Sequence, residues 1–136
     1  MPILHRTSEL ALRWHAGLLA GRALTAAVYG EHRRSRDLTA RAVRRGPAAV
    51  ERLVTVWCRT ILSERPPDVR VPPDIDRAPP PARWAVRVLA AAAARDRVMV
   101  PALVGAVPAE ELEPHLTALL HLAVAAVVER DDEVWL

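Results

Sequence analysis

The sequence predicts an all-α fold, a compact bundle of five or six helices, and three observations carry that expectation. Apolar residues make up 51% of the 136 positions while aromatics reach only 4%, with no Phe at all. The core must therefore be built from Leu, Val and Ala, and Leu and Ala are strong helix formers. Apolar residues recur at spacings of three and four in several long segments. Strand-like alternation approaches a useful length only at 69–71. Seven of the twelve prolines crowd into residues 65–81, between two such segments. A chain of this length can bury a core without disulfides, so the reading is one domain.

The first helix is expected after Thr7 or Ser8, either of which can cap a first turn, and to run to about Tyr29 or Glu31. Leu10, Trp14, Leu18, Leu24 and Val28 keep helical spacing along it. Gly17 and Gly21, with Ala16, Ala20 and Ala23 close by, suggest a face another backbone can approach. Tight internal packing is the preferred reading of that face, and a dimer seam the other. A short helix over 35–45 ends at Gly46, a suitable residue just past a helix end. Pro47 can open the next helix, because a first-turn residue needs no N–H partner. That helix, 47–63, repeats Val50, Leu53, Val54, Trp57, Ile61 and Leu62, with only Glu51, Arg52, Thr55 and Arg59 as a polar arc. So wide an apolar face belongs to a central helix.

Residues 65–81 contain "PPDVRV" followed directly by "PPDIDR". So much proline predicts an extended, polyproline-like strap, with Val69, Val71 and Ile75 tucked against the body. A helix over 82–97 follows, carrying five consecutive alanines. Pro101 and Pro108 then break "VMVPALVGAVP" into a short helix or turn. The last helix is expected over 114–130, with a first turn near 108–112 where Glu110 and Glu111 favour a helix N-terminus. The chain thus reads as a basic helical part (1–64), the strap (65–81) and an Ala/Leu-rich part with an acidic end (82–136).

Charge is unevenly distributed. Residues 1–65 hold 12 Arg and 5 acids, a net +7; residues 66–107 are +2 and residues 108–136 are −6. A basic front and an acidic back are complementary, within one chain or between two copies. All 19 basic residues are arginine, and Lys, Asn and Gln are absent. With the Ala and Pro load, this bias resembles that expected of a GC-rich bacterial genome, so arginine is read as partly a default residue and its count alone says little. Position says more. "GEHRRSRDLTARAVRRG", residues 30–46, concentrates Arg33, Arg34, Arg36, Arg41, Arg44 and Arg45. On a helical wheel they form a basic face about half a turn wide, opposite Leu38 and Val43, which would dock it. Asp37 sits within that face and can pair with Arg33 and Arg41 one turn either side.

Recognised chemistry is missing from the pattern. Cys58 is the only cysteine, so no intramolecular disulfide forms, and its apolar neighbours mark it as a small core residue. No two of the five histidines sit four apart on one helix. Glu111 and His115 do, but Pro114 stands between them. His121 lies among leucines and reads as a core-edge residue. Neither a metal site nor a bound cofactor is expected. Glycine-rich phosphate loops, G-x-S-x-G and H-E-x-x-H are all absent, and no catalytic residues are assigned. No leader pattern is seen, and the apolar run 116–128 is short for a membrane span. The expectation is a soluble, cytoplasmic, non-enzymatic protein without a membrane partner.

A helix-turn-helix reading of 35–63 fails because its second helix would present Val50, Leu53, Val54 and Trp57, not polar side chains, to base edges. The expected function is a non-catalytic helical interaction module of regulatory or adaptor type. Its contact surface is the arginine face, and its partner is a protein with an acidic surface. Self-association as a homodimer is expected, with "ERDDEVWL" offering Val134, Trp135 and Leu136 for docking in cis or in trans. The alternative is a sequence-tolerant nucleic-acid binder using the same arginines through phosphate contacts. A small all-α enzyme ranks behind both.

Overall fold

The computed structural model describes residues 2–64 and 71–134, with side chains for 10–64 and 71–129. Among the described residues the fold is all-α: six α-helices, two short 3₁₀ turns and no strand. In chain order these are α1 (Pro2–Val28), α2 (His32–Arg44), α3 (Pro47–Glu64), a 3₁₀ turn (Ile75–Arg77), α4 (Pro80–Ala93), α5 (Met99–Gly105), a second 3₁₀ turn (Ala109–Glu111) and α6 (Leu112–Val134). The chain divides into two units, Met1–Val56 and Trp57–Leu136, with the boundary inside α3.

In the first unit α1 and α2 form an antiparallel hairpin. α1 ends because Gly30 adopts φ +77°, a left-handed conformation that costs a residue without Cβ almost nothing. The Glu31 N–H then donates to the Ala26 carbonyl at 2.8 Å and the Gly30 N–H to Ala27 at 3.1 Å. This pair of bonds closes the helix end and turns the chain back. The buried Ser35 hydroxyl donates to the Ala23 carbonyl at 2.8 Å, fixing the register of α2 on α1. With equal rise on both helices, Ala16 comes to the level of Ala42, and both are fully buried. Leu38 is buried as the wheel requires. Val43 is only half-buried, and Ser35, Thr39 and Ala42 complete the docked face instead.

The small residues of α1 divide their roles differently from the sequence reading. The alanines 16, 20 and 23 are wholly buried, whereas a Cβ on Gly21 would meet nothing within 4 Å. A Cβ on Gly17 would stand 3.6 Å from Arg52 Nε, a side chain of α3 and not a neighbouring backbone. That Nε–H is buried without a hydrogen-bond partner among the described residues. α2 closes at Gly46 (φ +102°), and Pro47 starts α3 in the first turn as expected. Along α3, Ala49, Val50, Leu53, Val54, Trp57, Cys58 and Ile61 are buried, the wide apolar face of a core helix.

In the second unit Trp84 pins three elements. Its Nε1–H donates to the Leu103 carbonyl of α5 at 2.9 Å, and its ring meets His115 of α6 edge-on at 5.5 Å and 77°. His115 in turn donates from Nδ1 to the Glu111 carbonyl at 2.7 Å. Leu116, Leu119, Leu120, Ala123 and Ala126 form the buried face of α6.

Several boundaries differ from expectation because prolines start helices here. Pro2, Pro80 and Pro114 all lie in first turns, where a missing N–H breaks no bond, so α1, α4 and α6 begin earlier than predicted. Between Val71 and Pro79 the strap is not extended. The Ile75 N–H donates to Pro72, the Arg77 N–H to Asp74, and Arg87 of α4 holds Asp76 at 2.9 Å. Val71 is exposed and Ile75 half-buried; Val69 lies outside the described residues. α4 stops at Ala93, short of Arg97, because Arg95 takes φ +56° and Asp96 caps α5 through its Oδ1 on the Val98 and Met99 N–H groups. The Asp96 N–H to Ala91 and Arg95 N–H to Ala92 bonds repeat the closure seen at Gly30, with arginine in the glycine position.

Three predictions follow from this packing. Gly21→Ala gains helix propensity with no clash and should stabilise the chain by about 0.5–1 kcal/mol. Two residues on, Ala23→Leu overfills the α1–α2 contact and should cost about 1–3 kcal/mol; urea unfolding followed by circular dichroism reads both. Arg95→Gly removes the left-handed strain and should raise stability by about 0.5–1 kcal/mol, visible as a higher Tm.

Candidate interaction surface

The face of α2 opposite Ser35, Leu38, Thr39 and Ala42 is turned outward, and all six sequence-predicted arginines on and just beyond the helix are exposed. The structure gathers only three of them. Arg33, Arg34 and Arg41 line an open groove of about 830 Å³ together with Glu31, Asp37 and Arg22 of α1, with buried Leu38 beneath. Arg36, Arg44 and Arg45 lie outside its lining. Arg44 falls in the last turn of α2 and Arg45 caps it, where a cation complements the helix dipole.

Arg22 escaped sequence reasoning because it stands well before the arginine cluster. The only available signal was its place one turn after Leu18 on the same helix. The hairpin at Gly30 brings it beside Arg34, and the two also line a smaller adjoining hollow of about 500 Å³ with Gly17, Leu18, Gly21 and Thr25. The expected Asp37 pairs with Arg33 and Arg41 do not form among the described residues. Arg22, Arg33, Arg34 and Arg41 likewise lack a side-chain partner among those residues, so four cations face the groove against two acids.

A second feature adjoins the groove. Leu10, Trp14 and Leu18, spaced four apart on α1, are 65%, 70% and 38% exposed. In the sequence they share a helical spacing with Leu24 and Val28, of which Leu24 is buried and Val28 half-buried. Apolar residues lie on every side of α1, and the close approach of α2 selects the alanine side for burial. The stripe of large residues is left facing out, and it runs through Leu18 into the hollow that Arg22 and Arg34 line.

His115 is engaged by Glu111 and Trp84, while His121, expected at the core edge, is exposed. Among the described residues no three His, Cys, Asp or Glu side chains converge on a point where a metal could sit. Residues Ala109–Glu129 are long and apolar enough to cross a membrane by length and composition, with a third of that stretch buried in the structure. Val134 is the last residue of α6, and Trp135 and Leu136 lie outside the described residues, as do the contacts expected of that tail. The chain matches no family model, no curated protein and no solved structure.

Cys58 is buried in α3, and burial pushes its thiol from 9.0 up to about 12. At pH 8 its thiolate is therefore about a thousandfold scarcer than in the unfolded chain, and a thiol reagent should label it only after unfolding. The native state holds this proton more tightly than the unfolded state does. Its contribution to stability is thus complete below pH 9 and falls as pH rises from 9 towards 12. Urea midpoints measured across that range, against a Cys58→Ala chain, check the slope.

Proposed function

We propose that this chain is a non-catalytic binding module of adaptor type whose α1–α2 hairpin takes up an acidic, amphipathic helical segment of a protein partner. The observation that supports this reading is the continuity of the exposed Leu10–Trp14–Leu18 stripe with the groove lined by Arg22, Arg33, Arg34 and Arg41. An amphipathic helix recognised in a groove presents apolar anchors at spacings of three and four, with charges beside them. The exposed stripe offers contact to such anchors, and the arginines, without acid partners among the described residues, offer contact to acidic charges. A phosphate backbone would gain nothing from an apolar ridge, and Glu31 and Asp37 in the lining weaken the field it would feel. Phosphate contact by the same arginines is the second reading, supported by their lack of acid partners among the described residues.

Fluorescence anisotropy with a labelled acidic amphipathic peptide and a labelled DNA duplex, each titrated from low to high salt, tests the proposal. The peptide should bind in physiological salt. Trp14→Ala should weaken it about tenfold, as expected for a central aromatic anchor, and Arg34→Glu should also weaken it. DNA affinity should collapse steeply with salt and ignore the Trp14 change. Tight DNA binding with no peptide binding would establish the phosphate reading instead.

A further inference from the structure

We infer that the acidic helix seated on this surface is the end of α6 from a second copy of the same chain. This rests on the reading of the groove given above and names its occupant. Residues 129–133 hold four acids and one arginine, within a stretch (108–136) of net charge −6, whereas residues 1–65 carry +7. The backbone is helical as far as Val134, so those acids continue the helix that carries the exposed Ala125 and Val128.

The spacing of the two helices matches. On α1, Leu10, Trp14, Leu18 and Arg22 follow one another at intervals of four; on α6, His121, Ala125, Val128 and Asp132 follow at intervals of four, three and four. Twelve residue steps along α1 and eleven along α6 span nearly equal lengths, about 18 and 17 Å. Laid parallel, the large Trp14 falls opposite the small exposed Ala125, Leu18 opposite Val128, and Arg22 opposite Asp132 and its acidic neighbours. Arg33, Arg34 and Arg41, without partners among the described residues, extend the complementary field beside Arg22. A second α1 would fit worse, since Arg13 and Arg22 would bring like charges together. Each copy carries both a donor helix and an acceptor surface, so a two-fold dimer makes the contact twice.

Sedimentation equilibrium on the full chain and two charge-reversed forms tests this. One form carries Arg33→Glu, Arg34→Glu and Arg41→Glu; the other carries Asp131→Arg, Asp132→Arg and Glu133→Arg. The unmodified chain should self-associate, more weakly as salt rises. Each reversed form alone opposes like charges and should associate at least about tenfold more weakly. Mixed in equal amounts, they are complementary at both contacts and should associate again, which also shows that both are folded. Undiminished association of either form alone, or no recovery on mixing, overturns the inference. So does a monomeric unmodified chain, and the acidic peptide used above then separates the cases. If the peptide binds that monomer, the groove reading stands and only the second copy is lost. If it binds only the acid-reversed form, the tail occupies its own chain. If it binds neither, the groove reading falls too.

Discussion

The close contact of α1 with α2, made by small side chains and fixed by the Ser35 hydroxyl on the Ala23 carbonyl, sets what the first unit can present. Helices that meet largely through alanine, serine and threonine approach closely, and on α1 that approach favours small side chains on the facing side. Once Ala16, Ala20 and Ala23 take the buried side of α1, Leu10, Trp14 and Leu18 must lie elsewhere on the helix. Once Ser35, Leu38, Thr39 and Ala42 take the buried side of α2, the arginines have only the outside left. The Gly30 turn then brings the two outward faces together near Arg22. The basic groove and the apolar stripe are thus consequences of one packing decision.

The second unit handles its polar groups in the opposite way. Trp84, His115 and Asp96 all find partners within the unit: a carbonyl of α5, a carbonyl before α6 and the first N–H groups of α5. A buried ring nitrogen left unpaired would cost about 1–3 kcal/mol, so these residues are explained by what they hold in place. The Arg87–Asp76 pair is exposed at both ends and adds only tenths of a kcal/mol, enough to orient the turn before α4 and little more.

Fold class was legible in the residues because helical spacing and proline position agree over most of the chain. Boundaries were less so, for a common reason: a proline stops a helix that precedes it and starts one that follows. Spacing alone does not say which, and at Pro80 and Pro114 the second role applies. The end of α4 was hidden because its left-handed residue is Arg95, where glycine would have marked the stop. At the surface, the exposure of the arginines was legible from a wheel of α2 alone. That Arg33, Arg34 and Arg41 gather while Arg36, Arg44 and Arg45 do not was beyond the wheel, because the groove is completed by Arg22 from another helix. The exposure of Trp14 was not legible, because α1 is apolar on every side and only its neighbour decides which side is buried.

The composition bias gives this arrangement its meaning. In a chain where every cation is arginine, a single exposed arginine carries no information. Four of them around a groove, without acid partners among the described residues and beside a stripe of exposed leucines and a tryptophan, are a different matter. In the proposed complex the two parts would act at different stages of binding. Charge raises the encounter rate and weakens as salt screens it beyond about 8–10 Å. Apolar contact acts only after close approach and supplies most of the residence time. A partner that matches both must carry acids and apolar anchors in helical register. Such a partner is distinguished from nucleic acid by the ridge, and from an ordinary acidic surface by the spacing of its anchors.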